Sequence, residues 1–207
     1  MDKDYWEQYY KEHPSPGNPS PFATEIIKYL KPGMSLLELG CGNGRDAVFF
    51  AENGIHVTGI DQVSEEIDFL NRRYSKNNLK FVCDDFTQIE KLNGLFDSIY
   101  SRFTFHAITE KQENQVLLWV KKNLRVGGLF FLEVRSTKDK LFELGDPVAD
   151  EKYARITTHY RRFSDFDIIK QKIIDLGFSL IFSVEDANLA IYGDENPIII
   201  RIIAKAG

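Results

Sequence analysis

The sequence has little cysteine and no excess of positive charge. Its two cysteines among 207 residues, Cys41 and Cys83, form no C-x-x-C pair, so neither a disulfide framework nor a zinc site is indicated. The formal net charge is -5 at pH 7. A chain of this charge lacks the positive field that nucleic-acid-binding proteins direct at phosphate backbones. We therefore expect neither a metal site nor a nucleic-acid partner.

Long apolar runs are missing as well. No apolar segment approaches the roughly 20 residues that a membrane-spanning helix needs. The first residues, MDKDYWEQYYKEH, are polar and acidic, unlike a signal peptide. We therefore expect a soluble cytoplasmic protein without membrane insertion, either a monomer or a homodimer.

Apolar runs alternate with amphipathic stretches along most of the chain. This β-α-β-α order predicts an α/β fold with a doubly wound, Rossmann-like sheet of seven strands. The last two strands have no helix between them, so we expect a C-terminal antiparallel hairpin in an otherwise mostly parallel sheet. The predicted strands are SLLELG, IHVTGID, LKFVCDD, LFDSIYS, GGLFFLEVRS, FSLIFSVED and NPIIIRIIAKA.

The domain organisation is simple. Residues 1–207 are predicted to form a single domain, and the Pro-rich HPSPGNPSPF separates an N-terminal helix (about Asp4 to Lys11) from it. We interpret residues 1–20 as a lid or cap. The aromatic residues of this helix favour a cover over a ligand, but also a hydrophobic docking face or a dimer contact. Residues 137–162 lack clear periodicity and read as an inserted loop near the ligand site.

Three glycines follow the first strand at alternating positions, Gly40, Gly42 and Gly44. A strand, a glycine turn and a helix together aim backbone N–H groups at a ligand, and glycine lets the ligand lie on the main chain. Asp61, at the end of the second strand, is placed to accept hydrogen bonds from ribose hydroxyls. The dinucleotide fingerprint G-x-G-x-x-G would need a glycine at position 45, where this chain has Arg45.

The segment LLELGCGNGRDA closely resembles motif I of class I S-adenosylmethionine-dependent methyltransferases, and the resemblance extends from about Met34 to Val134. It implies S-adenosylmethionine as cofactor. In that family the glycine loop cradles the methionine and ribose, the acid matching Asp61 binds the ribose diol, and an acid after the third strand meets the adenine. The resemblance therefore predicts these cofactor-binding residues: Glu38, Gly40, Cys41, Gly42, Gly44, Arg45, Asp61, Gln62, Asp84, Asp85 (favoured over Asp84 for the adenine), Phe86 and Ser101.

The residues after the fourth and fifth strands are candidates for catalysis and acceptor binding, because open α/β sheets bind ligands at the carboxyl ends of their strands. The segment SRFTFHA is not the Asn/Asp-Pro-Pro-Tyr type found in enzymes that methylate amino groups of nucleobases or glutamine. His106 is the candidate general base, since its ordinary pKa of about 6.5 suits proton transfer at neutral pH. The remaining candidates are Tyr100 and Arg102 for catalysis, and Tyr9, Arg135, His159, Tyr160, Arg161 and Arg162 for binding the acceptor.

The arginines of EVRS and HYRRF, together with the aromatic N-terminal helix, resemble small bacterial methyltransferases of surface-polysaccharide and small-metabolite modification. They favour O-methylation of a small polar, anionic acceptor, such as a phosphoryl- or phosphoramidate-bearing or sugar-nucleotide-like molecule. Two alternatives remain open from the residues: a thiol, metalloid or amine methyltransferase of the tellurite-resistance type, and a non-catalytic cofactor-binding regulatory protein.

Overall fold

The elements of the main sheet follow the predicted order. The computed structural model describes residues 3–12, 17–89, 92, 94–191, 193 and 195–207, with no side-chain description for residues 3, 4, 9, 11 and 12. The strands are β1 (Ser35–Leu39), β2 (His56–Asp61), β3 (Leu79–Cys83), β4 (Phe96–Arg102), β5 (Leu124–Arg135), β6 (Asp146–Val148), β7 (Glu151–Ile156), β8 (Tyr160–Arg162), β9 (Phe178–Asp186) and β10 (Ile199–Ala206). The helices are α1 (Lys3–Glu12), α2 (Pro21–Ile26), α3 (Arg45–Glu52), α4 (Ser64–Tyr74), α5 (Glu110–Asn123), α6 (Lys140–Leu144) and α7 (Phe166–Asp175), with 3-10 helices at Ile27–Tyr29 and Phe105–Ala107.

Seven strands form one sheet in the order β3-β2-β1-β4-β5-β10-β9. Strands β1 to β5 pair in parallel, and β10 pairs antiparallel with both β5 and β9. The predicted fold class is therefore confirmed, including the C-terminal antiparallel hairpin. The chain order reverses between β1 and β4, which is the switch point where sheets of this kind bind ligands.

The sheet is covered on both faces, which is why its central strands are apolar almost throughout. Helices α2, α3 and α4 pack on one face, around Phe22, Phe50 and Leu70. Helices α5 and α7 pack on the other face, around Val116 and Ile173. Among the described residues, no helix is long and apolar enough to cross a membrane.

Helix starts follow capping chemistry. Thr109 caps α5 through a capping box with Gln112, as its sequence indicates. Ser64 is the first residue of α4 rather than its cap, which is Val63. Helix α2 was missed because its first residue, Pro21, lies in the Pro-rich segment. The Ser20 side chain accepts a hydrogen bond from the Ala23 amide, and a proline at the first helical position fits because it has no N–H to satisfy.

Residues 137–162 are more regular than their sequence suggested. They contain α6 and a separate three-stranded antiparallel sheet, β6-β7-β8. Their irregular sequence pattern reflects short strands with little burial. Strand β8 packs against the 3-10 helix Phe105–Ala107, which follows β4, and this contact brings the insert to the ligand side of the main sheet.

Candidate functional site

A cavity of about 380 Å³ lies at the carboxyl ends of the parallel strands. Its walls come from the carboxyl ends of β1, β2, β4 and β5, from the loops after β1 to β4, from β8, from the loop between β9 and β10, and from α1 and the first residues of α2 and α3. One half is built on the glycine turn and contains the carboxylates of Glu38 and Asp61. The other half contains arginines and His106. We call these the acidic half and the basic half.

The glycine turn fits a ligand that lies on the main chain. Gly40 and Gly42 adopt φ angles of 66° and 53°, in the left-handed region that favours glycine. A Cβ on Gly40 would approach the Thr104 Cγ2 to 2.5 Å. Helix α3 begins at Arg45, directly after the turn, and its first two residues, Arg45 and Asp46, line the cavity.

Two buried acids face the acidic half. Glu38 is only 5% exposed, its Oε2 has no hydrogen-bond partner among the residues that the structure describes, and burial raises the pKa of its carboxyl well above the usual value. Asp61 accepts hydrogen bonds from the Gly42 and Val63 amides, each at 3.1 Å, and burial raises its pKa as well. An orphaned buried carboxylate is costly unless a donor or cation meets it. The site therefore fits a ligand with an ammonium near Glu38 and hydroxyls near Asp61.

The other residues predicted to bind the cofactor divide into two groups. The cavity lining includes Cys41, Gln62, Arg45 and Phe86, as well as Asn43 and Asp46, which sequence reasoning had not selected. It does not include Gly44, Asp84, Asp85 or Ser101. Asp85 uses its Oδ1 to accept bonds from the Thr87 amide and hydroxyl, which closes a turn, and Ser101 is buried against Thr104.

The three catalytic candidates occupy different environments. The Tyr100 side chain is fully buried and donates to Asp46 at 2.8 Å, outside the cavity lining, so the structure does not place it as a catalytic group. Arg102 lines the cavity and forms an ion pair with the buried Glu133 at 2.8 Å. Tyr100 and Arg102 lie two residues apart and share a face of β4, but Tyr100 is further from the strand end and packs in the core.

His106 lines the basic half. It lies on the 3-10 helix Phe105–Ala107 and is 7% exposed, and within the described part of the chain neither ring nitrogen has a hydrogen-bond partner. Burial, followed by the charges of Arg161 and Arg135, holds the pKa of His106 well below its usual 6.5. The imidazole is therefore neutral at pH 7, and its nitrogens are free to meet a ligand.

The two neighbouring arginines of β8 point in opposite directions. The Arg161 side chain lines the cavity, where its Nη1 donates to the Thr157 hydroxyl at 2.8 Å and its buried Nε has no hydrogen-bond partner in the described segments. Arg162 turns away, forms a buried ion pair with Glu113, and donates through Nε to the Ile108 carbonyl at 3.0 Å. Adjacent residues of a strand point in opposite directions, so only one of the pair reaches the site. The prediction that Arg162 itself binds the acceptor does not agree with this geometry, because it supports the segment beneath His106.

The remaining acceptor candidates are more constrained than their sequence suggested. Arg135 lines the cavity, but it pairs with Asp139 and Glu195, each at 3.1 Å. The Tyr160 hydroxyl donates to Glu151 at 2.7 Å, outside the lining. The ring of His159 packs on Tyr5 with centroids 4.0 Å apart, so it contacts α1 rather than the cavity. The Tyr9 side chain lies outside the described residues.

Phe103 lines the cavity and carried no signal in the sequence. It adopts a φ of 53°, which is unfavourable for a residue with a bulky side chain. Its ring lies between two guanidinium groups, 4.4 Å from that of Arg102 and 5.6 Å from that of Arg135. Such strain persists only where the surrounding structure enforces it, and it concentrates at functional sites.

Comparisons with known proteins agree with this geometry. Residues 36–128 match a family model described as a methyltransferase domain. The cypemycin N-terminal methyltransferase of Streptomyces sp. is 31% identical over 103 residues, which cover 49% of this chain and 42% of that protein. A TehB-like S-adenosylmethionine-dependent methyltransferase from Corynebacterium glutamicum has a similar structure, with a TM-score of 0.70, 17% identity, and coverage of 99% of this chain and 98% of the other. The 1,6-didemethyltoxoflavin-N1-methyltransferase of Burkholderia thailandensis, crystallised with S-adenosylhomocysteine, gives a TM-score of 0.69 at 18% identity, covering 90% and 76% of the two chains.

These comparisons confirm the class predicted from motif I. Residues 36–128 match a methyltransferase domain, and the chain has the fold of these S-adenosylmethionine-dependent enzymes. The match covers less than half the length of the cypemycin relative, so no acceptor follows from that similarity.

Proposed function

We propose that this protein transfers a methyl group from S-adenosylmethionine to a hydroxyl of a small anionic acceptor. The observation that carries the proposal is the Arg161 side chain, which lines the same cavity as the neutral His106 and Glu38 and whose buried Nε has no hydrogen-bond partner among the described residues. Its Nη1 donates only to the neutral Thr157 hydroxyl, so a phosphoryl or carboxylate group would satisfy the rest of its planar fork.

The acidic half suits the cofactor. Glu38 would hold the methionine ammonium, and Asp61 would accept from the ribose hydroxyls. The bound cofactor supplies an activated methyl group for in-line displacement. The protein's main contribution is then to hold the acceptor in line.

His106 would take the proton of the acceptor hydroxyl. Its imidazole is neutral and therefore able to accept a proton, although the neighbouring arginines make it a weak base. An anionic acceptor beside Arg161 would offset that positive charge and raise the pKa of His106 toward its ordinary value. The anionic group would therefore contribute to binding and to proton removal.

Arg161 is a stronger candidate for the acceptor group than Arg135. Arg135 already pairs with Asp139 and Glu195, which fits a role in closing the loop after β5. Arg161 has no carboxylate among its hydrogen-bond partners in the described part of the chain. Phosphorylated sugars and sugar nucleotides, which combine hydroxyls with an anionic group, are the acceptor class that these residues favour.

The test is a methyl-transfer assay with matched acceptors. Purified protein and radiolabelled S-adenosylmethionine are incubated with phosphorylated sugars and sugar nucleotides, each beside its neutral dephosphorylated form. We expect transfer to the anionic member of a pair, and a product stable to base, as an ether is. Transfer to neutral members, or to thiol or amine acceptors in a parallel panel, would contradict the proposal. Cofactor binding without transfer to any acceptor would support the regulatory alternative.

Arg161→Gln is the matched variant, with Arg125→Gln as control because the Arg125 side chain is 55% exposed and pairs with Asp97 away from the cavity. Losing a charge-assisted hydrogen bond costs about 1.5–3 kcal/mol, so kcat/KM for the anionic acceptor should fall roughly 10- to 150-fold. The affinity for S-adenosylhomocysteine should not change in either variant. If Arg161→Gln handles the acceptor as wild type does, the anionic-acceptor proposal is wrong.

A further inference from the structure

Helix α1 places the Tyr10 side chain at the carboxylate assigned to the ribose. The Tyr10 side chain forms a hydrogen bond with Asp61. Its hydroxyl also lies 3.1 Å, and its ring 3.3 Å, from the position that a Cβ on Gly42 would take. Tyr10 therefore occupies the space above the glycine turn as well as one hydrogen-bonding position of Asp61.

Asp61 has limited capacity for additional donors. Its Oδ2 accepts from the Gly42 amide and its Oδ1 from the Val63 amide, both at 3.1 Å. These bonds fix the carboxylate against the backbone, so the phenol of Tyr10 and a ribose diol would approach the same exposed edge. Both are O–H donors to the same acceptor, and they cannot occupy one position together.

The same helix covers the basic half. The ring centroids of Trp6 and His106 are 6.0 Å apart, and those of Tyr5 and His159 are 4.0 Å apart. Trp6 also stacks on Tyr10, with centroids 6.0 Å apart. A displacement of Tyr10 would therefore be transmitted to the residues that cover His106.

We propose that Tyr10 is an internal competitor of the cofactor. In the ligand-free protein its hydroxyl takes the place of a ribose hydroxyl on Asp61. Binding of the cofactor displaces Tyr10, moves α1, and changes the cover over His106. Cofactor binding thereby precedes and controls access of the acceptor. This inference rests on the proposed function only in placing the cofactor ribose at Asp61.

Calorimetric titration with S-adenosylhomocysteine tests the competition. Tyr10→Phe keeps the ring and removes the competing hydroxyl. The control is Tyr29→Phe, because Tyr29 packs against Phe131 far from the glycine turn. We expect Tyr10→Phe to bind S-adenosylhomocysteine about 5- to 10-fold more tightly than wild type, since a net hydrogen bond of about 1 kcal/mol no longer has to be broken. Tyr29→Phe should bind as wild type does.

The outcomes separate this inference from the proposed function. If wild type does not bind S-adenosylhomocysteine, the proposed function fails. If wild type binds and Tyr10→Phe binds equally or more weakly, the competition is wrong and Tyr10 is part of the cofactor site or its surroundings.

Tryptophan fluorescence tests the movement of α1. The chain has two tryptophans, Trp6 and Trp119, so Trp119→Phe leaves Trp6 as the only reporter. In that background, S-adenosylhomocysteine should change the emission of Trp6 with the dissociation constant found by calorimetry. Adding Tyr10→Phe should shift the emission of the ligand-free protein toward that of the bound state. An emission of Trp6 that does not respond to saturating ligand would overturn the proposed movement.

Discussion

At the scale of single residues, the site depends on positions where one atom decides whether a ligand fits. Gly40 and Gly42 adopt positive φ angles, and a Cβ on either meets another side chain. In both cases the conflict lies in the layer that would surround the cofactor. The two positions differ in the severity of that conflict, 2.5 Å to Thr104 against 3.1 Å to Tyr10, and this difference can be tested.

Gly40→Ala should weaken binding of S-adenosylhomocysteine more than Gly42→Ala does. The added methyl at position 40 would lie 2.5 Å from the buried Thr104, whereas at position 42 it meets Tyr10, which we propose is displaced by the cofactor. Calorimetric titration of both variants measures the difference. Equal affinities would contradict the assignment of the glycine turn to the cofactor, and circular dichroism checks that both variants fold.

His106→Asn removes the proposed base but keeps a polar side chain. We expect kcat to fall on the order of 10²-fold or more, with the affinity for S-adenosylhomocysteine kept. The loss should be recovered in part above neutral pH if the acceptor hydroxyl can ionise. A rate within a few-fold of wild type across that pH range would show that His106 only packs against Trp6 and Phe103.

At the scale of elements, two adjacent residues of β8 have different roles, one facing the cavity and one supporting the fold. Arg161 points into the basic half, whereas Arg162 forms a buried ion pair with Glu113 and holds the Ile108 carbonyl next to the 3-10 helix that carries His106. A two-residue period therefore separates a ligand-facing arginine from a supporting one. Substitution of Arg161 should therefore weaken use of the acceptor, whereas substitution of Arg162 should lower the stability of the fold.

Arg162→Met should lower the free energy of unfolding by about 3–5 kcal/mol, because it leaves Glu113 buried with Lys172 as its remaining ionic partner. Urea denaturation measures this change. The double variant Arg162→Met, Glu113→Leu should regain part of the stability, since it removes the buried Glu113 carboxylate together with its arginine partner. Arg161→Gln should unfold at nearly the wild-type urea concentration, and a large loss there would show that Arg161 is structural.

At the scale of the whole molecule, buried carboxylates affect both the stability of the fold and the proposed binding of the ligand. Burial raises the pKa values of Glu38 and Asp61, and that of Glu66 to about 7. A carboxyl with a raised pKa in the folded state favours folding when protonated. Its contribution is therefore greatest below the unfolded pKa of about 4.5 and is lost as the pH rises through the folded value.

For Glu66 this window runs from about pH 4.5 to about pH 7. Glu66→Gln should raise the melting temperature above pH 7 by roughly 2–4 °C, on the order of 1 kcal/mol, and change it little at pH 5. Calorimetric melting of wild type and variant at several pH values measures the difference in melting temperature at pH 5 and above pH 7. A gain that is equal at pH 5 and pH 8 would show that the effect is not one of ionisation.

The sequence determined the fold class and the cofactor side of the site. Hydrophobic periodicity reports burial, so it predicts the fold class. A strand, a glycine turn and an acid at the end of the next strand lie within a short segment, so the sequence predicted Gly40, Gly42 and Asp61, and the resemblance to motif I predicted Glu38. All four line the cavity. The capping box of α5 is visible in the sequence. The start of α2 is not, because proline is common both in linkers and at the first position of a helix, where Pro21 follows the cap Ser20.

Only the tertiary structure decided the basic half of the cavity. Which of Arg161 and Arg162 faces inward depends on how β8 packs against a segment 54 residues away in the chain, and that packing is not encoded in local pattern. The pairing of Arg135 with Asp139 and Glu195, the strained backbone of Phe103, and the position of Tyr10 on Asp61 likewise arise from contacts between distant elements. Local sequence determines the side-chain period of a strand and the caps of a helix. The charge balance and steric fit of a site depend on all neighbouring residues, and only folding brings those residues together.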